Sequence, residues 1–151
     1  MQAHATTIIN TDTDRVWSII RDFSNVAAWH QDVTELLGVE HGPGDRVGCL
    51  RRIRLRNKAI FVEKLLALSD LEHSYSYTIV EGPAPVRDYV GTVKLTPITR
   101  TDQTLVSWTS VFNPAEGDGA ALPNAVRDTV ILVGFSGLAN ISAGRGKLEG
   151  M

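Results

Sequence analysis

The feature that most constrains the fold is a run of strand-like segments between residues 34 and 113, with no helical pattern among them. The segments are rich in β-branched and aromatic residues, and short stretches rich in Gly, Pro, Asn and Asp separate them. Spacers this short can join neighbouring antiparallel strands but cannot hold the helix that a parallel crossover needs. The six predicted strands are TELLGVE, DRVGCLRRIRL, KAIFVEKLLALS, HSYSYTIVE, VRDYVGTVKLT and QTLVSWTSVF.

Another strand and two short helices are predicted ahead of this run. The β-branched segment HATTIIN predicts a first strand over 4–10. Thr11 followed by Asp14 resembles a capping box, and apolar residues then recur at helical spacing, which predicts a helix over 12–23. The segment NVAAWH predicts a second short helix over 25–30.

A helical period returns near the C-terminus. Apolar and small residues lie on one broad face and predict a long helix over about 120–143, followed by a frayed tail, GRGKLEGM. A seven-stranded antiparallel sheet must cover its apolar concave face, and this helix is long enough to do so. We therefore predict an α+β helix-grip architecture, a curved seven-stranded antiparallel sheet wrapped around the C-terminal helix, with a ligand cavity between them.

Composition narrows the class of protein. A length of 151 residues fits one domain over 1–151. The formal net charge of -2 gives no sign of the basic surface that nucleic-acid binding requires. Cys49 stands alone, which excludes an internal disulfide. The N-terminus lacks a signal-peptide pattern and the longest apolar run is too short to span a bilayer. We expect a cytoplasmic protein with no membrane span, either monomer or homodimer.

No metal or cofactor is expected. The histidines at positions 4, 30, 41 and 73 show no ligand spacing among themselves or with the cysteine. The segment GPGDRVG contains glycines but precedes a strand and includes proline, so it is a turn and not a phosphate loop. The predicted partner is a small hydrophobic ligand or substrate.

The chain resembles the helix-grip superfamily that includes the birch-pollen allergen, START lipid-binding domains and polyketide cyclase/dehydrase-like proteins. The segments that carry the resemblance, in order along nearly the whole chain, are VWSIIRDFSNVAAWHQDV, GCLR, EKL, YTIVEGPAPVRDY and WTSVFNP. The resemblance implies the fold. It leaves the chemistry open, because members of this superfamily differ widely in function.

A more local likeness is to the plant abscisic-acid receptors of the same superfamily. Shared features are the GC-x-R strand, an EKL strand, an aromatic residue twelve positions before Tyr89, and DTVI in the last helix. Thr34 stands where the receptors carry a hormone-pairing lysine, and their gate loop is replaced by RLRN, so hormone-receptor function is not expected. The resemblance implies that Phe61, Glu63, Tyr77, Tyr89, Trp108, Val126 and Val130 occupy ligand-cavity positions. We predict Glu63, Tyr77 and Tyr89 as catalytic residues, and as ligand-binding residues Thr34, Phe61, Trp108, Ser110, Val126 and Val130.

Glu63 interrupts the most hydrophobic predicted strand. If Asn57 and Lys58 form a two-residue hairpin turn, Glu63 lies opposite Arg52 and shares a face with apolar neighbours. Two interpretations stay open: a structural ion pair with Arg52 or Arg54, or a cavity carboxylate. If Glu63 is buried without a partner, Glu63→Gln should preserve or slightly improve folding.

Three other residues receive structural interpretations. Trp29 is expected to pack beneath the sheet, and His30 to lie at the surface or at the cavity mouth. Arg51 is expected to be a structural partner and not a substrate clamp. Gly134 and Gly137 are expected to allow close helix packing.

Three functions compete on this sequence. The first is a cofactor-independent cyclase, dehydratase or isomerase acting on a small polyketide-like, aromatic or terpenoid compound, with Glu63 and a tyrosine as the acid–base pair. The second is a non-catalytic carrier or sensor of a lipid, quinone or similar hydrophobic ligand. The third is a protein–protein partner with a vestigial cavity.

Overall fold

The computed structural model describes residues 1–144, and seven strands in it form one antiparallel sheet. Apart from its first residue, the predicted tail lies outside the described residues. The strands are β1 (Gln2–Ile9), β2 (Val33–Glu40), β3 (Leu50–Leu55), β4 (Ile60–Ser69), β5 (Ser74–Glu81), β6 (Val86–Ile98) and β7 (Gln103–Pro114). Their order across the sheet is β1-β7-β6-β5-β4-β3-β2. The predicted pairing of consecutive strands is confirmed from β2 to β7, and β1 completes the sheet beside β7.

The helices lie where the sequence predicted them, with somewhat different ends. Helix α1 spans Thr13–Ile20, and a 3₁₀ helix spans Phe23–Ala28. Asp12 caps α1 by accepting a hydrogen bond from the Arg15 N–H, so the predicted capping role of Thr11 is wrong. The Thr11 hydroxyl instead donates to the Ser142 carbonyl at the far end of the chain's last helix.

The C-terminal helix consists of three consecutive segments. These are α2 (Leu122–Val126), a π-helical segment (Arg127–Ile131) and α3 (Leu132–Ser142). In the middle segment the Leu132 N–H bonds to the Arg127 carbonyl, five residues back. A π segment changes the phase of a helix locally and often occurs at functional sites.

The helix packs on the inner face of the sheet. Its residues Ile131, Phe135 and Leu138 are buried in one core with sheet residues such as Val93 and Val106. Register shifts interrupt three of the strand pairings, and bulges of this kind increase strand bending and twist. The predicted α+β helix-grip fold is confirmed.

Two glycines allow the helix to approach the layer beneath it. A Cβ added at Gly137 would lie 1.7 Å from the Trp29 carbonyl oxygen, and one added at Gly134 would lie 2.5 Å from the edge of the Trp108 ring. The backbone carbonyl at Trp29 cannot move aside as a flexible side chain could. Close packing, as predicted from the sequence, is therefore the role of these glycines.

Gly137→Ala should strongly destabilise the fold. The added methyl group must displace the Trp29 backbone, and overpacking of this kind costs about 1–3 kcal/mol or more. Gly38→Ala is the matched control, because a Cβ at Gly38 meets nothing within 4 Å. Denaturant unfolding of both variants checks the prediction, and equal stabilities would contradict the close-packing account.

Candidate ligand cavity

A cavity of about 600 Å³ lies between the sheet and the first half of the C-terminal helix. Its wall is mostly apolar, with contributions from residues such as Val33, Ile53 and Ile79. The β3–β4 turn, the β5–β6 loop and the start of α2 also line it. Antiparallel order puts these three connections at the same end of the sheet, so the cavity extends toward that end.

The position of Glu63 depends on the β3–β4 turn. The Leu55 N–H bonds to the Ala59 carbonyl, and Lys58 adopts a left-handed φ of 72°, which gives a three-residue loop. Glu63 therefore pairs with Arg51. The predicted register opposite Arg52 was wrong by one residue, because a two-residue turn was assumed.

Glu63 and Arg51 form a buried ion pair beside the cavity. The Arg51 Nε and Nη2 atoms lie 2.8 and 2.7 Å from Glu63 Oε1. The third guanidinium nitrogen donates to the Phe23 carbonyl at 2.8 Å, and the guanidinium carbon lies 3.6 Å from the centre of the Phe23 ring. Burial lowers the pKa of Arg51, but the attraction of Glu63, the influence of Tyr75 and Tyr77 and the hydrogen bond to Glu63 together outweigh it, so the pKa ends above its ordinary value.

This ion pair combines the two interpretations that the sequence left open. Glu63 lines the cavity and is also half of an ion pair, although the partner is Arg51. Arg51 is a structural partner, as predicted, because it ties β3 and β4 to the 3₁₀ helix. Both contacts use one carboxylate oxygen, so Oε2 is the oxygen through which Glu63 could reach a ligand.

Three hydroxyl groups form a hydrogen-bonded chain beside the cavity. The Tyr77 and Tyr89 hydroxyls are 3.0 Å apart, and the Tyr89 hydroxyl is 2.7 Å from Ser110 Oγ. Tyr77 can lean across the sheet because Gly91 lies beside it. A Cβ at Gly91 would come within 2.5 Å of the Tyr77 ring.

Burial keeps the phenols protonated. It raises the pKa of Tyr77 well above its ordinary value, with the nearby Tyr89 and Glu63 adding to the shift. Burial also raises the pKa of Tyr89. In Tyr75, burial raises the pKa to about 12 even though Arg51 opposes it. Tyr77 and Tyr89, which line the cavity, can therefore donate hydrogen bonds to a ligand at neutral pH.

Most of the remaining predicted site residues meet at the same cavity. Phe61, Trp108, Val126 and Val130 line it, together with the three catalytic candidates. Ser110 is fully buried and reaches the site through the Tyr89 hydroxyl.

Thr34 does not join the cavity, and its prediction is corrected. Its side chain is exposed and its hydroxyl donates to the Arg54 carbonyl across the β2–β3 ladder. Strand alternation turns the preceding residue, Val33, inward instead.

Two further cavity residues lie on the link after the 3₁₀ helix. His30 was expected at the surface or at the cavity mouth; it lines the cavity and is only 6% exposed. Its Nδ1 accepts from the Asp32 N–H, so Nε2 carries the proton and donates to the Val130 carbonyl at the π segment. Gln31 is also buried and lines the cavity. Neither lies in a regular strand or helix, so hydrophobic periodicity gave no signal for either residue.

Within residues 1–144, no group of three or more His, Cys, Asp or Glu side chains could hold a metal ion. No helix in that part of the chain is long and apolar enough to cross a membrane.

Comparison with known proteins now identifies the family. Residues 1–139 match the family described as "Polyketide cyclase / dehydrase and lipid transport". The chain belongs to this family. Membership and the mostly apolar cavity agree on binding of a hydrophobic ligand.

Solved structures share the fold over nearly their whole length. An uncharacterised protein from Bacillus thuringiensis has a TM-score of 0.82 at 22% identity, covering 95% of this chain and 99% of that chain. A protein from Nitrosospira multiformis has a TM-score of 0.77 at 26% identity, with coverages of 95% and 99%. The ginseng major latex-like protein 151 from Panax ginseng has a TM-score of 0.80 at 17% identity, with coverages of 96% and 97%.

Glu63→Gln should destabilise the protein, contrary to the expectation for an unpaired carboxylate. The substitution leaves the buried Arg51 charge without its counter-ion, and breaking a buried pair in this way costs about 3–5 kcal/mol. Glu35→Gln is the matched control. It breaks the ion pair between Glu35 on β2 and Arg54 on β3, whose side chains are 52% and 40% exposed. That change should cost less than about 1 kcal/mol.

Denaturant unfolding of the two variants measures this difference. If Glu63→Gln is as stable as Glu35→Gln, the Arg51–Glu63 pair does not hold the site together.

The native protein should resist tyrosine ionisation. The chain has three tyrosines, and all three are buried with raised pKa values. Their unfolded pKa is about 10, so they stabilise the fold below pH 10 and lose that contribution as pH rises through the folded values. Ultraviolet titration should show phenolate forming at a clearly higher pH in the native protein than in denaturant, where it forms near pH 10. Phenolate formation near pH 10 in the folded protein would show that the hydroxyl chain is open to water.

Proposed function

We propose that the protein binds a small, mostly apolar organic molecule in the cavity and converts it by acid–base chemistry without a cofactor. The reaction class is cyclisation, dehydration or isomerisation of a polyketide-like, aromatic or terpenoid compound. The observation that carries the proposal is a carboxylate and two protonated phenols facing one apolar cavity. Carbon–hydrogen bonds next to a carbonyl group can be broken by this combination of base and hydrogen-bond donor.

The strand register supports distinct roles for Glu63 and Tyr77. Glu63 pairs with Ile79 and Tyr77 with Leu65, so Glu63 and Tyr77 are diagonal neighbours on one face of adjacent strands. Tyr77 would donate a hydrogen bond to a ligand carbonyl oxygen. Glu63 would take a proton from the carbon beside that carbonyl through Oε2. The apolar wall would keep water from competing for both groups.

Tyr89 would support Tyr77 by polarising its hydroxyl. The two hydroxyls are in contact, and Tyr89 is itself bonded to Ser110, so the three form a connected chain. Hydrogen bonds in such chains strengthen one another, which makes the terminal hydroxyl a better donor. This role differs from direct proton transfer and makes Tyr89 a positioning residue.

One observation favours a second candidate, a non-catalytic carrier or sensor of a lipid, quinone or similar ligand. Arg51 binds Glu63 through two nitrogens, so the carboxylate already has a structural partner and need not transfer a proton. In that case Glu63 would anchor a ligand hydroxyl and no bond would change. A cytoplasmic location, one domain, and a monomeric or homodimeric state complete the proposal.

Tyr77→Phe separates the two candidates. The change removes the hydroxyl but keeps the ring, and it leaves the Arg51–Glu63 pair intact. Small aromatic and polyketide-like ketones would be screened for binding by calorimetry and for conversion by liquid chromatography with mass spectrometry. For an enzyme, Tyr77→Phe should lower kcat on the order of 10²-fold or more, with little change in affinity.

Ser76→Ala is the control for this experiment. It removes a hydroxyl from the same strand, where Ser76 bonds to Thr92 outside the cavity lining. A ligand that binds without conversion by the unaltered protein, and more weakly to Tyr77→Phe, would support the carrier. Binding and turnover unaffected by Tyr77→Phe would contradict both roles for this hydroxyl.

A further inference from the structure

A β-bulge interrupts strand β6 beside the cavity. The β6–β7 pairing shifts register between Arg87 and Val90, so that Asp88 and Tyr89 both stand opposite Phe112. Asp88 is the first residue of the bulge and has a left-handed φ of 53°. Glycine is the usual residue at the first position of a bulge with this backbone conformation, because most side chains disfavour it.

The bulge changes which residues of β6 face the cavity. Val86 and Tyr89 both line it, although they are three positions apart. In a regular strand, residues at this spacing point to opposite faces of the sheet. The two residues between them, Arg87 and Asp88, are both exposed. The bulge therefore lets an aliphatic and an aromatic side chain share this part of the wall and leaves the Arg87 charge outside.

Tyr89 reaches its hydroxyl partners by leaning along β6. The residue of β6 that pairs with both Tyr77 on β5 and Ser110 on β7 is Gly91, two positions further on. The Tyr89 hydroxyl nevertheless lies 3.0 Å from that of Tyr77 and 2.7 Å from Ser110 Oγ. A Cβ at Gly91 would lie 2.8 Å from the Tyr77 hydroxyl. The hydroxyl groups therefore meet in the space above Gly91 that a side chain would fill.

Two hydrogen bonds hold the bulge in this conformation. The side-chain amide of Asn113 donates to Asp88 Oδ2 at 3.1 Å, across the bulge. The Thr78 hydroxyl donates to the Tyr89 carbonyl at 2.6 Å. Aspartate is one of the few residues with a Cβ that adopts the left-handed conformation readily, because its short polar side chain can bond locally. Residue type and contacts at Asp88 therefore both favour the bulge.

We propose that Asp88 is a positioning residue for the hydroxyl chain. Its left-handed backbone makes the bulge, and the bulge turns Tyr89 back over Gly91, where the Tyr89 hydroxyl holds and polarises that of Tyr77. Asp88 itself lies outside the cavity lining and acts only through Tyr89. This inference rests on the proposed function, in which Tyr77 donates a hydrogen bond to a ligand carbonyl oxygen.

Three variants of Asp88 and one matched control test this role. Asp88→Gly keeps the left-handed conformation, whereas Asp88→Val opposes it because a β-branched residue disfavours positive φ. Deletion of Asp88 removes the bulge, and the strand pairs on either side of it can still form. Asp102→Val is the control, because Asp102 has a left-handed φ of 55° in the β6–β7 turn, at the other end of the sheet from the β5–β6 loop.

Ultraviolet titration of the tyrosines is the first readout and needs no ligand. In the unaltered protein, in Asp88→Gly and in Asp102→Val, all three phenols should ionise clearly above about pH 10. In Asp88→Val and in the deletion variant, Tyr89 should turn from its partners toward the open end of the cavity. At least one phenol should then ionise near pH 10 while circular dichroism still shows a folded protein. Titration of both variants like that of the unaltered protein would overturn the inference.

Calorimetry with α-tetralone and tetralin, which differ by one ketone oxygen, is the second readout. The unaltered protein should bind α-tetralone about tenfold more tightly, and Asp88→Gly and Asp102→Val should keep this preference. In Asp88→Val and in the deletion variant it should fall below about twofold, with tetralin affinity retained. A preference that persists in those two variants would overturn the positioning role. If the unaltered protein shows no preference, the proposed function fails, and the phenol titration still decides the role of Asp88.

Discussion

The buried Arg51–Glu63 ion pair is the interaction on which the rest of this structure depends. It joins β3, β4 and the 3₁₀ helix, and it sets one polar wall of an otherwise apolar cavity. A buried pair is costly to desolvate and costs still more when one partner is removed. Its presence beside a cavity of about 600 Å³ connects the stability of the fold to the chemistry of the site. The same carboxylate cannot be altered for function without affecting folding.

The C-terminal helix divides the interior into a packed half and an open half. Glycines at 134 and 137 bring α3 against Trp108 and the Trp29 backbone, and Phe135 and Leu138 fill the core there. Toward α2 and the π segment, Val126 and Val130 face the cavity. The hydrogen bond from His30 to the Val130 carbonyl fixes the helix at the boundary between the packed half and the open half. Helix packing therefore determines both where the cavity lies and how far it extends.

The fold could be predicted because strand alternation and helical periodicity are local properties, which the sequence displays directly. The cavity positions of Tyr77, Tyr89 and Trp108 followed from a family resemblance. The partner of Glu63 was missed by one residue, because loop length fixes register and Lys58 adopts a left-handed conformation that its residue type does not signal. Gln31 was missed because burial in an irregular link depends on distant elements, here the glycines of α3.

The central claim, that the cavity is a binding site, is tested most directly by titration with anilinonaphthalene sulfonate, a fluorescent apolar dye. Val126→Phe fills space in the cavity, whereas Val80→Phe adds the same bulk at a position that is 50% exposed. The account predicts stoichiometric dye binding to the unaltered protein and to Val80→Phe, and a loss of at least about tenfold in affinity in Val126→Phe. Equal dye binding by all three folded proteins would contradict the claim, because the dye would then bind outside the cavity.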